Sequence, residues 1–266
     1  MYETTYHRAG SVAEATDLLA KSDDGKFLGG GQTLLPTMKQ RLAAPSDLVD
    51  VTRIPEMNGI SADGDGISVG AATTHAEVAN SDLVKQKLPG LASLAGGIGD
   101  PAVRHMGTIG GSIANNDPAA DYPAALVALG ATVVTSKRQL AAEDFFTGLF
   151  ETALDEDEVV VSVKFPAAAA SAYSKYPNPA SRYAMAGVFV AKGTDGSVKV
   201  AVTGAGQDGV FRMNAMESAL GANFGPDAVA GIAPDAGNLL SDLHGSADYR
   251  ANLVTVMAKR AVAAAS

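Results

Sequence analysis

The chain has 266 residues, 47% hydrophobic and 18% charged, which is enough apolar material for a sizeable core and excludes a disordered chain. Lys and Arg number 20 against 29 Asp and Glu; the formal charge of −9 disfavours nucleic acid or an anionic membrane surface, yet allows a nucleotide held by backbone N–H groups. With no cysteine, the chain has no disulfide, thiolate nucleophile or Cys-ligated iron–sulfur cluster, and the four scattered histidines lack ligand spacing, so no metal is expected. No apolar run approaches the roughly 20 residues that cross a bilayer. The opening MYETTYHRAG has neither the basic nor the apolar stretch of a secretory signal, so a cytoplasmic location is expected.

Residues 11–22 read as a helix: Ser11 and Glu14 have capping-box spacing, and Val12, Ala15, Leu18 and Leu19 share one face. Gly25 ends it, Lys26–Leu28 is a short strand running into Gly29-Gly30-Gly31, and Asp47–Val51 is a second strand. The first 55 residues thus resemble a small β-α-β unit. Asp63-Gly64-Asp65-Gly66 is a tight turn joining a hairpin between Ile60 and Ile67–Ala71. Thr74 with Glu77 caps a short helix, Leu83–Leu94 carries a second, and Pro123–Leu129 a third closed by Gly130. Ala131–Thr135 and Val159–Phe165 read as strands. The alanine-rich segment from Pro166 to Ser171 reads as a boundary; beyond it come strands at 172–176, 183–192 and 198–203 and helices at 214–220 and 248–264. No internal repeat is visible.

Two segments place several glycines beside hydroxyl residues: Leu28–Pro36, with Gly29-Gly30-Gly31-Gln32-Thr33-Leu34, and Gly99–Asp117, with Thr108-Ile109-Gly110-Gly111-Ser112. Glycine admits positive φ and lets an anion approach the backbone, so consecutive N–H groups can converge on a phosphate, with Thr33, Thr108 and Ser112 adding hydroxyls. With 29 glycines in the chain, plain turns are the competing reading. Neither segment has the G-x-G-x-x-G or P-loop spacing. The residues by themselves point to a nucleotide-diphosphate cofactor.

The same two loops resemble those of the FAD-binding subunit of molybdenum hydroxylases, a family that includes xanthine dehydrogenase and aerobic carbon monoxide dehydrogenase. Its loops read A-G-G-x-[ST]-L and T-[IV]-G-G-[NSD], and the resemblance extends through the opening Tyr2–Ala15, Gly70–Thr74, Asp100–Asp121 and Lys175–Ala191. It implies an α+β fold. Residues 1–166 would form a PCMH/vanillyl-alcohol-oxidase-type FAD-binding domain, in subdomains of about 1–55 and 56–166. Residues 167–266 would form a small C-terminal α+β domain with a three-stranded antiparallel sheet.

It also implies residue roles. Residues 29–34 and 108–112 would wrap the FAD diphosphate and ribityl chain. Asp121 would hydrogen-bond the cofactor, the competing reading being a charge at a helix start near Pro123. Ile98 would line the flavin pocket, with Val160 or Val161 contributing backbone contacts. Lys175 would sit near the ring and stabilise the anionic reduced flavin, and Tyr183 would shield one ring face. Two departures, Gln32 and the segment Tyr176–Arg182, point away from carbon monoxide as substrate.

The resemblance implies an electron-transfer subunit with no catalytic residue of its own, holding FAD non-covalently. Its partners would be a [2Fe–2S] subunit and a molybdopterin-binding large subunit in a dimer of heterotrimers. Since each cluster needs four cysteines, the clusters must lie in another chain. The alternatives are a self-contained flavin oxidase or reductase acting on its own small organic substrate, and a cofactor-free interaction module.

Overall fold

The computed structural model describes residues 1–265. The chain opens with β1 (Thr5–Arg8), α1 (Val12–Ala20), β2 (Gly25–Leu28), α2 (Leu34–Lys39) and β3 (Asp47–Asp50), and β3 lies between β1 and β2 in a parallel sheet. Ser11 caps α1 by accepting from the Glu14 N–H. The reciprocal arm of the expected box goes elsewhere, because the Glu14 carboxylate accepts from Gly10.

The next region holds β4 (Ile60–Asp63), β5 (Gly66–Gly70), α3 (His75–Asn80), α4 (Asp82–Lys87), α5 (Pro89–Gly96), α6 (Pro101–Arg104), α7 (Ile109–Asn115) and α8 (Tyr122–Leu129). It continues through β6 (Thr132–Thr135), β7 (Gln139–Ala141), α9 (Ala142–Phe145), β8 (Phe146–Gly148), β9 (Glu151–Thr152) and β10 (Val160–Phe165). A five-stranded antiparallel sheet in the order β4-β5-β10-β6-β7 carries its core, with Ile67, Val69, Val133 and Val163 buried. The single helix expected over Leu83–Leu94 is two helices. Leu88 precedes Pro89, whose ring disfavours helical geometry at Leu88 (φ −142°, ψ 68°), and α5 starts afresh with the proline in its first turn.

Beyond Pro166 come β11 (Ala168–Pro177), β12 (Ala184–Gly193), β13 (Val198–Thr203), β14 (Phe211–Arg212), α10 (Asn214–Ala222) and α11 (Ala247–Ala264). Four of the six residues of the expected boundary segment are strand, since β11 begins at Ala168. The three expected antiparallel strands are present, and the two-residue β14 adds a fourth at the edge. The central strand β12 buries both faces, as period-2 alternation requires. Phe189 and Ala191 belong to the first core, while Val188 and Val190 join Met216, Val254 and Met257 in the second. Among the described residues no helix is long and apolar enough to cross a membrane.

One buried charge ties β6 to the approach to β10. Glu158 is fully buried in its side chain and accepts from Arg138, from the Thr135 hydroxyl and from the Asp155 N–H. Burial opposes its ionisation, but these donors outweigh burial and pull the carboxyl down to about 2. Because the folded value lies below the unfolded one, the resulting stability is present above about 4.5 and is lost as pH falls toward 2. Arg138 is partly exposed, so screening reduces the gain to about 1–2 kcal/mol. Glu158→Gln should therefore lower stability by that amount at pH 7, and urea denaturation of both proteins should show the difference shrinking below pH 4.5.

Candidate functional site

Two glycine loops some 75 residues apart in sequence meet in space. A Cβ on Gly30 would lie 1.9 Å from the Met106 carbonyl oxygen and 2.6 Å from Gly107 Cα, and one on Gly29 would lie 2.9 Å from Thr108 Oγ1. Glycine here serves close approach of two backbones rather than positive φ, which in the first loop only Gly31 adopts (φ 68°). Gly110 is similar, since its Cβ would lie 2.5 Å from that of Ala71.

The hydrogen bonds divide the loops' tasks. The second loop is the start of α7, and its N–H groups from Ile109 to Ser112 are occupied: Ile109 donates to Thr73 O, Gly110 to Ala71 O, Gly111 to the capping Thr108 hydroxyl and Ser112 to Thr108 O. In the first loop the N–H groups of Gly29, Gly30, Gly31, Gln32 and Thr33 have no acceptor among the described residues. They border a cavity of about 670 Å³. Five successive donors without a protein acceptor at a cavity wall are available to an anion.

Of the residues expected at the site, Gly29, Gly30, Gly31, Gln32, Thr33, Leu34, Ile98, Thr108, Gly110, Gly111, Ser112, Asp121, Val160 and Tyr183 line this cavity. Three do not. Ile109 is wholly buried in the first core. A bulge between Val160 and Ser162 leaves Val160 at the cavity while the Val161 carbonyl accepts from the Ala71 N–H. Lys175 stands behind Asp121 rather than in the wall.

Asp121 immediately precedes α8 but makes no capping bond to it, so the helix-start reading does not describe its side chain. Its carboxylate is 4% exposed and accepts from Lys175 Nζ at 2.9 Å and from the Tyr173 hydroxyl at 2.5 Å. Tyr173 and Lys175 are alternate residues of β11, so both point to the same side of the sheet. Burial pushes the Asp121 carboxyl up from the usual range, against the pull of Lys175 and Tyr173. Burial beside that carboxylate holds the Tyr173 hydroxyl well above its ordinary value, as a fixed donor. Gly187, opposite Lys175 on β12, makes room: a Cβ there would lie 2.2 Å from the Tyr173 oxygen.

The C-terminal sheet also carries the segment leading into Asp121. The Thr203 hydroxyl donates to Ala120 O at 2.6 Å, and Gly204 N–H donates to Pro118 O at 2.9 Å. From the β11–β12 turn, Ser181, Arg182 and Tyr183 complete the cavity wall. Arg104 steadies the opposite wall by donating to Ile98 O and Gly99 O. Burial, with Asp117 and Asp121 nearby, raises the half-exposed Tyr183 hydroxyl.

Sequence reasoning missed several of these residues. Tyr173 could have been found as the same-face neighbour of Lys175. Met106 and Gly107 lay inside the second glycine segment, but their role of receiving Gly30 is a tertiary contact that the sequence does not show. Among the described residues no group of side chains is arranged to hold a metal ion.

The family described as "FAD binding domain in molybdopterin dehydrogenase" matches residues 2–168. The chain is 38% identical to the carbon monoxide dehydrogenase medium chain of Hydrogenophaga pseudoflava, covering 98% of this chain and 96% of that one. It is 35% identical to the nicotine 6-hydroxylase medium subunit of Paenarthrobacter nicotinovorans, covering 97% and 95%. Among solved structures, reconstituted CO dehydrogenase from Oligotropha carboxidovorans superposes with a TM-score of 0.88 at 33% identity, covering 99% and 98%.

The loop contact predicts an asymmetry between glycines. Gly30→Ala drives a methyl into backbone and should destabilise the chain by about 2–3 kcal/mol, the range of severe overpacking. Gly111→Ala meets only the Thr108 hydroxyl at 3.0 Å and should cost under about 1 kcal/mol. Denaturation midpoints of the two variants check this ordering.

Proposed function

Because the chain belongs to the family of FAD-binding domains of molybdopterin dehydrogenases, an oxidoreductase family of α+β, PCMH-type fold, we propose that it is the flavin-bearing electron-transfer subunit of a molybdenum hydroxylase complex. It would receive electrons from the [2Fe–2S] clusters of one partner and pass them to an external acceptor, in a dimer of heterotrimers that also contains a molybdopterin-binding large subunit. Relatives bear the names medium chain or medium subunit, which supports a place in a multi-subunit enzyme. We also propose residues 1–166 as the FAD-binding domain and 167–266 as the C-terminal domain.

The observation that carries this reading is the row of unpaired N–H groups from Gly29 to Thr33 along the cavity. A diphosphate supplies the acceptors that those donors lack, without any requirement for basic side chains in an acidic protein. The residues present therefore fit FAD. When bound, the flavin supplies one- and two-electron chemistry; the chain supplies binding, orientation and electrostatics. The first loop would hold the diphosphate, and the second would hold the first loop in place while offering the Ser112 hydroxyl. Ile98 and Val160 would give the ring apolar walls, and Tyr183 would cover it.

Lys175 would act through Asp121. The pair presents nearly balanced charge to the cavity, so each partner's removal exposes the other. The substrate and its hydroxylation would belong to the large subunit.

Two measurements test this. The purified chain should carry flavin that acid denaturation releases intact as FAD; flavin remaining on the polypeptide would contradict non-covalent binding, and copurifying iron–sulfur and molybdenum subunits would separate this reading from a self-contained oxidase. Lys175→Met should lower the flavin potential and Asp121→Asn should raise it, each by tens of millivolts, where about 30 mV corresponds to 1.4 kcal/mol for a two-electron couple. Redox titration checks the opposite signs.

A further inference from the structure

His75 opens α3 and lines the cavity, and it is 5% exposed. Its backbone is satisfied, because the N–H donates to Gly107 O at 2.9 Å. Its side chain is not. Among the described residues neither ring nitrogen has a hydrogen-bond partner, and Nδ1 is completely buried. Nε2 abuts Gly107, where a Cβ would lie 2.6 Å away. The ring packs against Tyr122 at a centroid distance of 5.4 Å, and the Tyr122 hydroxyl is itself buried without a partner.

Buried polar groups without partners are rare because each forfeits its hydration. Burial, with the Arg104 charge adding to it, pulls His75 down to about 4, so at neutral pH the ring is uncharged and has one N–H and one lone pair. Gly107 also receives Gly30, so the imidazole adjoins the line where the two loops meet. That line borders the proposed diphosphate cradle.

Building on the flavin reading, we infer that His75 is a cofactor-binding residue whose Nε2–H donates to an oxygen of the diphosphate–ribityl stretch of FAD. Nothing in the interior fixes the tautomer, so the bound cofactor selects the form protonated on Nε2. Nδ1 then keeps its lone pair in the interior. A neutral donor suits this place: it completes the row of neutral backbone N–H groups without adding a charge.

The experiment compares His75→Leu, which removes both nitrogens, with His75→Gln, which keeps an N–H on a flexible side chain. FAD is titrated into each full-length chain after flavin removal, and thermal midpoints are recorded without flavin. The Leu variant should bind FAD about tenfold more weakly, one hydrogen bond's worth at 1.4 kcal/mol per tenfold. The Gln variant should stay within about threefold of the unsubstituted chain. The flavin-free midpoint of the Leu variant should equal or exceed the original, since an unsatisfied buried group has been removed. Unchanged affinity in the Leu variant overturns the inference. So does equal weakening in the Gln variant, or a fall in the flavin-free midpoint that accounts for lost binding. An unsubstituted chain that takes up no FAD overturns the flavin reading itself.

Discussion

The site depends on two backbones being allowed to touch. Gly30 passes so close to Met106 and Gly107 that no side chain fits between them, and this contact turns two remote loops into one wall. Each loop then has a different task. The second spends its N–H groups on Thr73, Ala71 and Thr108, anchoring itself to the β5–α3 connection. The first, braced from behind, is free to leave five donors unpaired. A loop carrying so many unpaired donors is costly unless a ligand or water satisfies them, so its rigidity must come from the neighbour it leans on.

The C-terminal sheet reaches the same cavity from the other side. Thr203 and Gly204 hold the 118–120 segment, Tyr173 and Lys175 fix the Asp121 carboxylate, and the turn at 181–183 closes the wall. Breaking one member of the Asp121 pair would leave a buried charge uncompensated, which is far less favourable than the intact pair. The arrangement thus couples the sheet's position to the electrostatics of the cavity. With His75 as a neutral donor at the loop junction, the cavity would handle an anionic cofactor largely through dipoles.

Much of this was legible in the sequence. The glycine clusters were visible because each lies next to a strand or a helix start, and a small β-α-β unit was expected from the apolar face of α1 and the strands near 26–28 and 47–51; the first strand, Thr5–Arg8, and the parallel pairing were not read. What pattern reading got wrong was the reason for several of the glycines: within residues 29–34 and 108–112 φ is positive only at Gly31, while Gly30 and Gly110 are required by tertiary crowding that no local pattern encodes. Likewise Lys175 and Asp121 could each be singled out, but their pairing spans 54 residues and depends on how β11 docks. The break at Leu88 was readable from Pro89, yet the continuous apolar pattern on either side hid it. Short helices such as α2 and α7 left too few turns for periodicity to show.

Amide hydrogen exchange with and without FAD tests the central claim most directly. If the first loop holds the diphosphate, the amides of Gly29 to Thr33 exchange quickly in the flavin-free chain and gain the largest protection on FAD binding, while those of Ile109 to Gly111, bonded already, gain much less. Protection that rises chiefly at residues 109–111, with 29–33 still exchanging freely, would contradict the account.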